Sequence, residues 1–348
     1  MHITEIDKNF KVPKLVERPG LVWKDAEDTP FRIYGIFREG ELFRRLPEKV
    51  AETVSPGVLS LHANTSGGRV RFCTDSPYIA IHAELDNVCK ADHFAFTGSI
   101  GFDLITGKRH LGTFRPSMEV EHAFESVIDI SDPCNRTYTI HFPLYSNVRK
   151  LYIGLREGAS LYAAPEYTLE KPVVYYGSSI TQGGCASRPG NSYQNLLSAF
   201  LDCNHINLGF SGSAMGEESI AEYIATLDMS AFVYDYDHNA STAKLQNTHM
   251  KMFQIIRKAH PKLPILMLSR PKYYINEDEI KRQQIIKETY QSARNAGDEN
   301  VYFISGQDLL VSSARDIGLV DGGHPNDIGF LSIAHVLEPV LKHMLHLD

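Results

Sequence analysis

The chain lacks long apolar runs, any excess of basic residues, and paired cysteines, and each shortage removes a class of function. No apolar run reaches the roughly 18 residues of a membrane helix. The opening MHITEIDKNFKVPKL has no apolar core of the kind that marks a secretory leader. Lys and Arg number 35 against 42 Asp and Glu, for a net charge of −7, with no Lys/Arg stripe. That balance cannot neutralise a phosphate backbone, so neither nucleic acid nor a membrane is an expected partner. The five cysteines (Cys73, Cys89, Cys134, Cys185, Cys203) are scattered, with no CxxC pair or Cys/His cluster. They read as free thiols in a reducing compartment, the cytoplasm, rather than as a zinc site or a disulfide framework. Tryptophan occurs once, at Trp23; it reads equally as an aromatic platform for a sugar or as packing on a sheet.

With 348 residues, 43% of them hydrophobic, the chain is long enough for two domains with sizeable cores. The first, residues 1–165, has almost no helical period from about Pro30 to Glu166. Short alternating runs recur instead between turn residues. In GVLSLHANTSGGRVRFCTDS, Leu59, Leu61 and Ala63 alternate on one arm, residues 65–68 make a turn, and Val70, Phe72 and Thr74 return. YIAIHAEL, FAFTGSIGFDLI, ESVIDI, TYTIHFPL and KLYIGL continue the pattern, which predicts an all-β sandwich of jelly-roll type.

The second domain, residues 166–348, switches period. Strand-like runs at 173–176, 205–208, 231–236, 264–269 and 301–305 alternate with helical segments, the signature of βαβ units and a parallel sheet. Leu245, His249, Met252, Ile256 and Ala259 share one helix face; Ile280, Ile286, Tyr290 and Ala293 share another, with Gly297 as its C-cap. A last helix begins near Asp327 and should kink at Pro339. Five strands predict a flavodoxin-like three-layer α/β/α sandwich.

The first of those strands runs into VVYYGSSITQG. A buried strand, a tight turn and a helix lift a hydroxyl to the carboxyl end of the sheet, where open α/β folds place their ligands. Ser178 and Ser179 both sit at the turn. A serine needs a base within hydrogen-bond reach, and the base needs an orienting group. DGGHPND supplies both: Asp321 and His324 lie three residues apart around a Gly-Gly turn after the last strand. His238 is a rival imidazole, but only His324 has a carboxylate at this spacing. GFSGSAMG, after the second strand, offers the Gly212 backbone N–H to an oxyanion; otherwise Gly212 is a turn glycine. DHNAS, after the third, offers the Asn239 amide; otherwise Asn239 caps the helix starting near Thr242.

These four blocks, in this order, resemble the SGNH (GDSL-like) hydrolase family. Gly177-Ser178-Ser179-Ile180-Thr181 is similar to its nucleophile block, Gly212 to its glycine block, Asn239 to its asparagine block, and Asp321 to Pro325 to its DxxHP block. GFDLI, from Gly101, is similar to the Gly-x-Asp-Leu-Tyr signature of the β-sandwich in one subset of these enzymes. The resemblance implies Ser179 as nucleophile, His324 as base and acid, and Asp321 as orienting carboxylate. It also implies an oxyanion hole from the N–H groups of Ser179 and Gly212 with the Asn239 amide. Two positions depart from the pattern: Ser178 stands where the family has Asp, and Asp237-His238-Asn239-Ala240 replaces Gly-x-Asn-Asp. The resemblance implies hydrolysis of a short-chain ester, an acetyl on a small molecule or saccharide, without cofactor or metal. The alternatives are acyl transfer and carbohydrate binding by an inactive domain. A homo-oligomer is compatible with the sheet edges expected. Cys185 reads as a small buried hydrophobe, His260 as a helix-end residue, Arg270 as a surface arginine, and His205 carries no assignment.

Overall fold

Alternating side chains and turn residues build the first half into two facing antiparallel sheets. The computed structural model describes residues 6–7, 11–12 and 15–347; most of the opening segment discussed above lies outside them. The strands of this half are β1 (Leu21–Asp25), β2 (Arg32–Tyr34), β3 (Phe37–Glu39), β4 (Leu42–Arg44), β5 (Arg69–Thr74) and β6 (Tyr78–Asn87). They continue as β7 (Phe102–Thr106), β8 (Arg109–Phe114), β9 (Ala123–Asp129), β10 (Arg136–His141), β11 (Asn147–Arg156) and β12 (Leu161–Tyr162). One sheet runs β1-β11-β6-β9; the other runs β12-β5-β10-β7-β8 with β2 added beside β5, and β3 and β4 form a separate ribbon. Val70, Phe72, Leu104 and Ile140 of one sheet meet Ile79, Ile81, Leu151 and Ile153 of the other in one core, the inward face of a sandwich. Trp23 pairs with Gly154 across β1 and β11, and its ring stands edge-on to His82 at 6.1 Å. Its role is therefore packing on the sheet.

Two runs expected to be strands are not. Pro56–Leu61 is a helix, preceded by the Glu48–Val54 helix. Ser55 accepts from the Val58 N–H and Pro56 occupies the first turn, a pair of start signals that outweighs the Leu59/Leu61/Ala63 alternation. The pair of helices packs away from the sandwich: Leu46, Ala51 and Val58 join the same core as Val174, Ile220 and Ile224 of the second half. Likewise, Phe96–Ser99 is a single helical turn, and β7 starts only at Phe102.

The second half holds β13 (Leu169–Gly177), β14 (Cys203–Gly209), β15 (Ala231–Asp235), β16 (Ile265–Leu268) and β17 (Val301–Ile304), all parallel, in the order β14-β13-β15-β16-β17. Helices cover both faces, so these strands read as unbroken apolar runs. Val174, Tyr176, Phe232, Tyr234 and Met267 point to one face, against Leu245, Met252, Ile256 and Ile286. Val173, Tyr175, Val233, Leu266 and Leu268 point to the other, against Leu197, Phe330, Leu337 and Leu341. This is the expected three-layer α/β/α sandwich. The Asp327–Leu345 helix continues through Pro339; it is apolar and long enough to cross a membrane by composition, and half of it is buried against this sheet. Gly297, with φ +87, follows the Glu277–Asn295 helix, as a left-handed residue beyond a helix end should. Two expected core positions are exposed, Ala259 and Ile280. Glu279 turns inward in place of Ile280 because Arg270 and Lys272 pair with it at 2.7 and 3.0 Å.

Buried polar side chains join the two halves. Arg45, 2% exposed, donates to the carbonyls of Leu61, Asn64, Asn207 and Gly209; burial lowers its pKa to about 9. Asp103, the acid of the Gly-x-Asp-Leu run, is fully buried. It accepts from His141 Nδ1 at 3.1 Å, from the Gly190 N–H at 3.0 Å and from the Arg188 guanidinium.

Candidate active site

The nucleophile turn takes its shape from its neighbours. β13 ends at Gly177, where a Cβ would collide with Asp235 Oδ1 and Thr181 Oγ1; only glycine lets the turn lie this close to β15. Ser178 Oγ then accepts from the Ile180 N–H at 3.2 Å and caps the Ser179–Gln182 turn. A hydroxyl thus does the bracing for which a carboxylate was expected. The Ser178 N–H donates to Asp235 O at 3.2 Å, and the Phe210 N–H donates to Gly177 O at 2.8 Å. The ends of β13, β14 and β15 are thereby tied at one face.

Across that face, Ser179 Oγ lies 2.8 Å from His324 Nε2, and His324 Nδ1 lies 2.7 Å from Asp321 Oδ2. Asp321 Oδ1 accepts from the His324 and Gly323 N–H groups at 2.8 and 3.0 Å. Partial burial pushes the Asp321 pKa up, but these two backbone donors and the imidazole bring it to about 2, so the carboxylate stays ionised. Ser179 is 3% exposed. Sequence positions 179, 321 and 324 are therefore brought together as a hydroxyl–imidazole–carboxylate chain.

The two expected oxyanion donors sit on neighbouring loops. Gly212 has φ +66, open space where a Cβ would stand, and no acceptor for its N–H among the described residues. The Asn239 amide donates to Phe210 O at 3.1 Å, which locks it to the Gly212 loop and leaves its second N–H for another acceptor. Asn239 does not cap the following helix; Ser241 does, accepting from the Lys244 N–H. His238 is no rival base. Its ring lies 5.6 Å from that of His324, and burial, with the charge of Arg270, lowers its pKa to about 3.

The first half contributes side chains to the surroundings of the site. His93 and Phe94, on the loop after β6, stand 5.5 and 6.4 Å from the His324 ring. Tyr145 packs on Phe94 at 4.4 Å and donates to Ser179 O at 3.4 Å. Gln182, one helical turn after Ser179, donates to Asn64 Oδ1 and Leu144 O and accepts from the Ser211 N–H. The sandwich thus holds the Gly212 loop and forms one wall beside His324. Nothing local in KADHF announces this. Cys185 is buried as expected, with its Sγ 3.5 Å from His93 O. Arg270 is not at the surface but half-buried on Glu279. His205 is buried and meets Arg69 Nη1 at 3.0 Å. His260 ends the Thr242–Ala259 helix and contacts Ala225 O at 2.9 Å.

Two family models match the sequence: the GDSL-like lipase/acylhydrolase family over residues 170–342, and the GxDLY N-terminus of Esterase_SGNH_hydro-type proteins over residues 21–161. A GDSL-like lipase structure from Bacteroides ovatus is similar at TM-score 0.84 and 28% identity, over 94% of this chain and 98% of that one. A salicylyl-acyltransferase from a tetracycline biosynthetic pathway superposes at TM-score 0.75 and 18% identity, over 94% and 98%. An acetyl xylan esterase from the rumen bacterium Butyrivibrio proteoclasticus does so at TM-score 0.60 and 13% identity, over 94% and 99%. No curated protein matches the chain.

Proposed function

We propose, for a chain that belongs to the GDSL-like lipase/acylhydrolase family and carries the SGNH-type N-terminal domain, that it is a serine esterase removing a short acyl group from a carbohydrate or similar alcohol. The observation that carries this reading is the Ser179–His324–Asp321 chain at 2.8 and 2.7 Å. Ser179 Oγ attacks the ester carbonyl while His324 Nε2 takes its proton. Asp321 holds the Nδ1–H and keeps the imidazole in the tautomer whose Nε2 is free to accept. The developing oxyanion takes the N–H groups of Ser179 and Gly212 and the Asn239 amide. His324 returns the proton to the departing alcohol oxygen, and water repeats the attack on the acyl-Ser179 with the same base. An acetyl group on a sugar is favoured by the likeness to an acetyl xylan esterase.

The test is direct. The protein hydrolyses p-nitrophenyl acetate and acetylated sugars, a fluorophosphonate labels it, and Ser179→Ala removes both properties. A wild type with neither turnover nor label ends this reading and favours a carbohydrate-binding protein without activity. A second reading, transfer of the acyl group to an alcohol, draws on Phe94 beside His324: an apolar ring there excludes water and favours an organic acceptor. Mass spectrometry of an added alcohol distinguishes the two, since only transfer yields a new ester in excess of free acid.

A further inference from the structure

The wall beside His324 brings three possible metal ligands together. A ring nitrogen of His93, Cys185 Sγ and a ring nitrogen of His324 all lie within 4.8 Å of one another. Two imidazoles and a thiol are donors suited to zinc, which binds N at about 2.0–2.1 Å and S at about 2.3 Å in a tetrahedron. Those bond lengths place ligand atoms roughly 3.3–3.8 Å apart, so the set closes on an ion with a contraction of about an ångström. His93 is exposed, on a loop rather than in a sheet, and has room to supply that movement. Cys185 is buried and its Sγ meets the His93 carbonyl at 3.5 Å, so these two donors are held as neighbours. Behind the third ligand, Asp321 Oδ2 holds His324 Nδ1 at 2.7 Å. A carboxylate on the far nitrogen is the support that orients metal-bound histidines and fixes Nε2 as the ligand atom. The pair that prepares His324 as a base prepares it equally as a ligand.

We propose that His93, Cys185 and His324 form a binding site for a soft divalent cation of the zinc class, and that its occupancy switches the hydroxyl–imidazole pair off. On binding, the Cys185 thiol releases its proton to solvent and forms a metal–sulfur bond. The His324 Nε2 lone pair leaves the Ser179 hydroxyl for the cation, and Ser179 keeps its proton. No electron is transferred. The inhibition rests on the esterase reading; the binding does not.

Cobalt(II) is the probe, titrated into the full-length Ser179→Ala protein so that turnover plays no part. The expected result is a near-ultraviolet thiolate-to-cobalt band and visible absorption of tetrahedral intensity, saturating at one ion per chain. The band disappears in Ser179→Ala/Cys185→Ser, and the affinity falls about tenfold or more in Ser179→Ala/His93→Ala. In the wild type, zinc suppresses p-nitrophenyl acetate hydrolysis and EDTA restores it. His93→Ala, scaled to its own uninhibited rate, needs about tenfold more zinc. A missing thiolate band, a band that survives Cys185→Ser, or zinc inhibition unmoved by His93→Ala overturns the proposal. Should Cys185→Ser not fold, His93→Ala on its exposed loop decides alone. A thiolate band in a chain whose wild type has no turnover upholds the site and removes only the esterase reading.

Discussion

Replacing Asp103 by asparagine tests how the two halves are joined. The carboxylate is fully buried, while its partners keep a little solvent: 3% of the His141 side chain and 21% of Arg188. Burial pushes the Asp103 pKa up, but His141 and Arg188 more than reverse this, so the net shift is downward and the group is ionised. Asparagine keeps the shape and one acceptor oxygen, yet it sets an NH2 group against the Arg188 guanidinium, donor to donor. Breaking a buried ion pair from one side costs about 3–5 kcal/mol. Because Arg188 recovers part of its hydration, the expected loss is near the lower end, about 3 kcal/mol. For a chain of 348 residues that lowers the thermal midpoint by roughly 4 °C. Calorimetry and urea unfolding measure it, and a cycle with Arg188→Met should return a coupling of about 1 kcal/mol or more. The pH dependence has a definite sign. A depressed carboxyl contributes stability above its unfolded value near ~3.9 and loses it as pH falls through the folded one. The advantage of wild type over variant should therefore shrink in acid. A midpoint shift below about 2 °C, or additive single mutants, would refute the account of Asp103 as the clamp between sandwich and catalytic half.

Three further outcomes are expected. Asn239→Ala lowers kcat about 10²- to 10³-fold with little change in KM, as loss of one oxyanion donor does; a loss below about threefold in steady-state assays would remove Asn239 from the site. Asp321→Asn lowers kcat about 10²- to 10⁴-fold by releasing the imidazole tautomer, and its crystal structure should show His324 in place; unchanged kcat would leave Ser179 and His324 as a dyad. Asp235, buried beside Thr181, has its pKa raised to about 8 by burial, only partly offset by the Thr181 hydroxyl. The folded state then holds a proton that the unfolded chain loses near pH ~4, so stability falls between about pH 4 and about pH 8, by up to about 1.4 kcal/mol per pH unit. Asp235→Asn should flatten that slope in urea unfolding at several pH values; an unaltered slope would mean that Asp235 ionises normally.

The legible parts were those whose signals are local. The switch from a two-residue to a helical period at about residue 166 marked where the parallel sheet begins, and the runs at 173–176 and 231–236 were recognisable because strands covered on both faces are apolar throughout. Ser179, Gly212, Asn239 and the Asp321–His324 pair each follow a strand of that sheet, so one topological rule placed them on one face. The Leu59/Leu61/Ala63 alternation misled because it is compatible with either period over so few residues, and the Ser55 cap and Pro56 decide for a helix only once Val58 has a core to enter. Ile280 misled for a different reason: Glu279 gains two cationic partners that lie outside its own helix.

By itself, then, the order of residues determined the sandwich, the five-stranded sheet and the turn that presents Ser179, because periodicity and turn chemistry act between near neighbours in the chain. Tertiary structure alone decided what surrounds that serine. Ser179 meets His324 across 145 residues, Cys185 meets His93 across 92, and Arg188 meets Asp103 across 85. The DxxH spacing foretold the first of these contacts, since it carries its own carboxylate. The other two leave no local trace, because a loop histidine, a lone cysteine and a surface-type arginine acquire their roles only when the sandwich closes against the catalytic half.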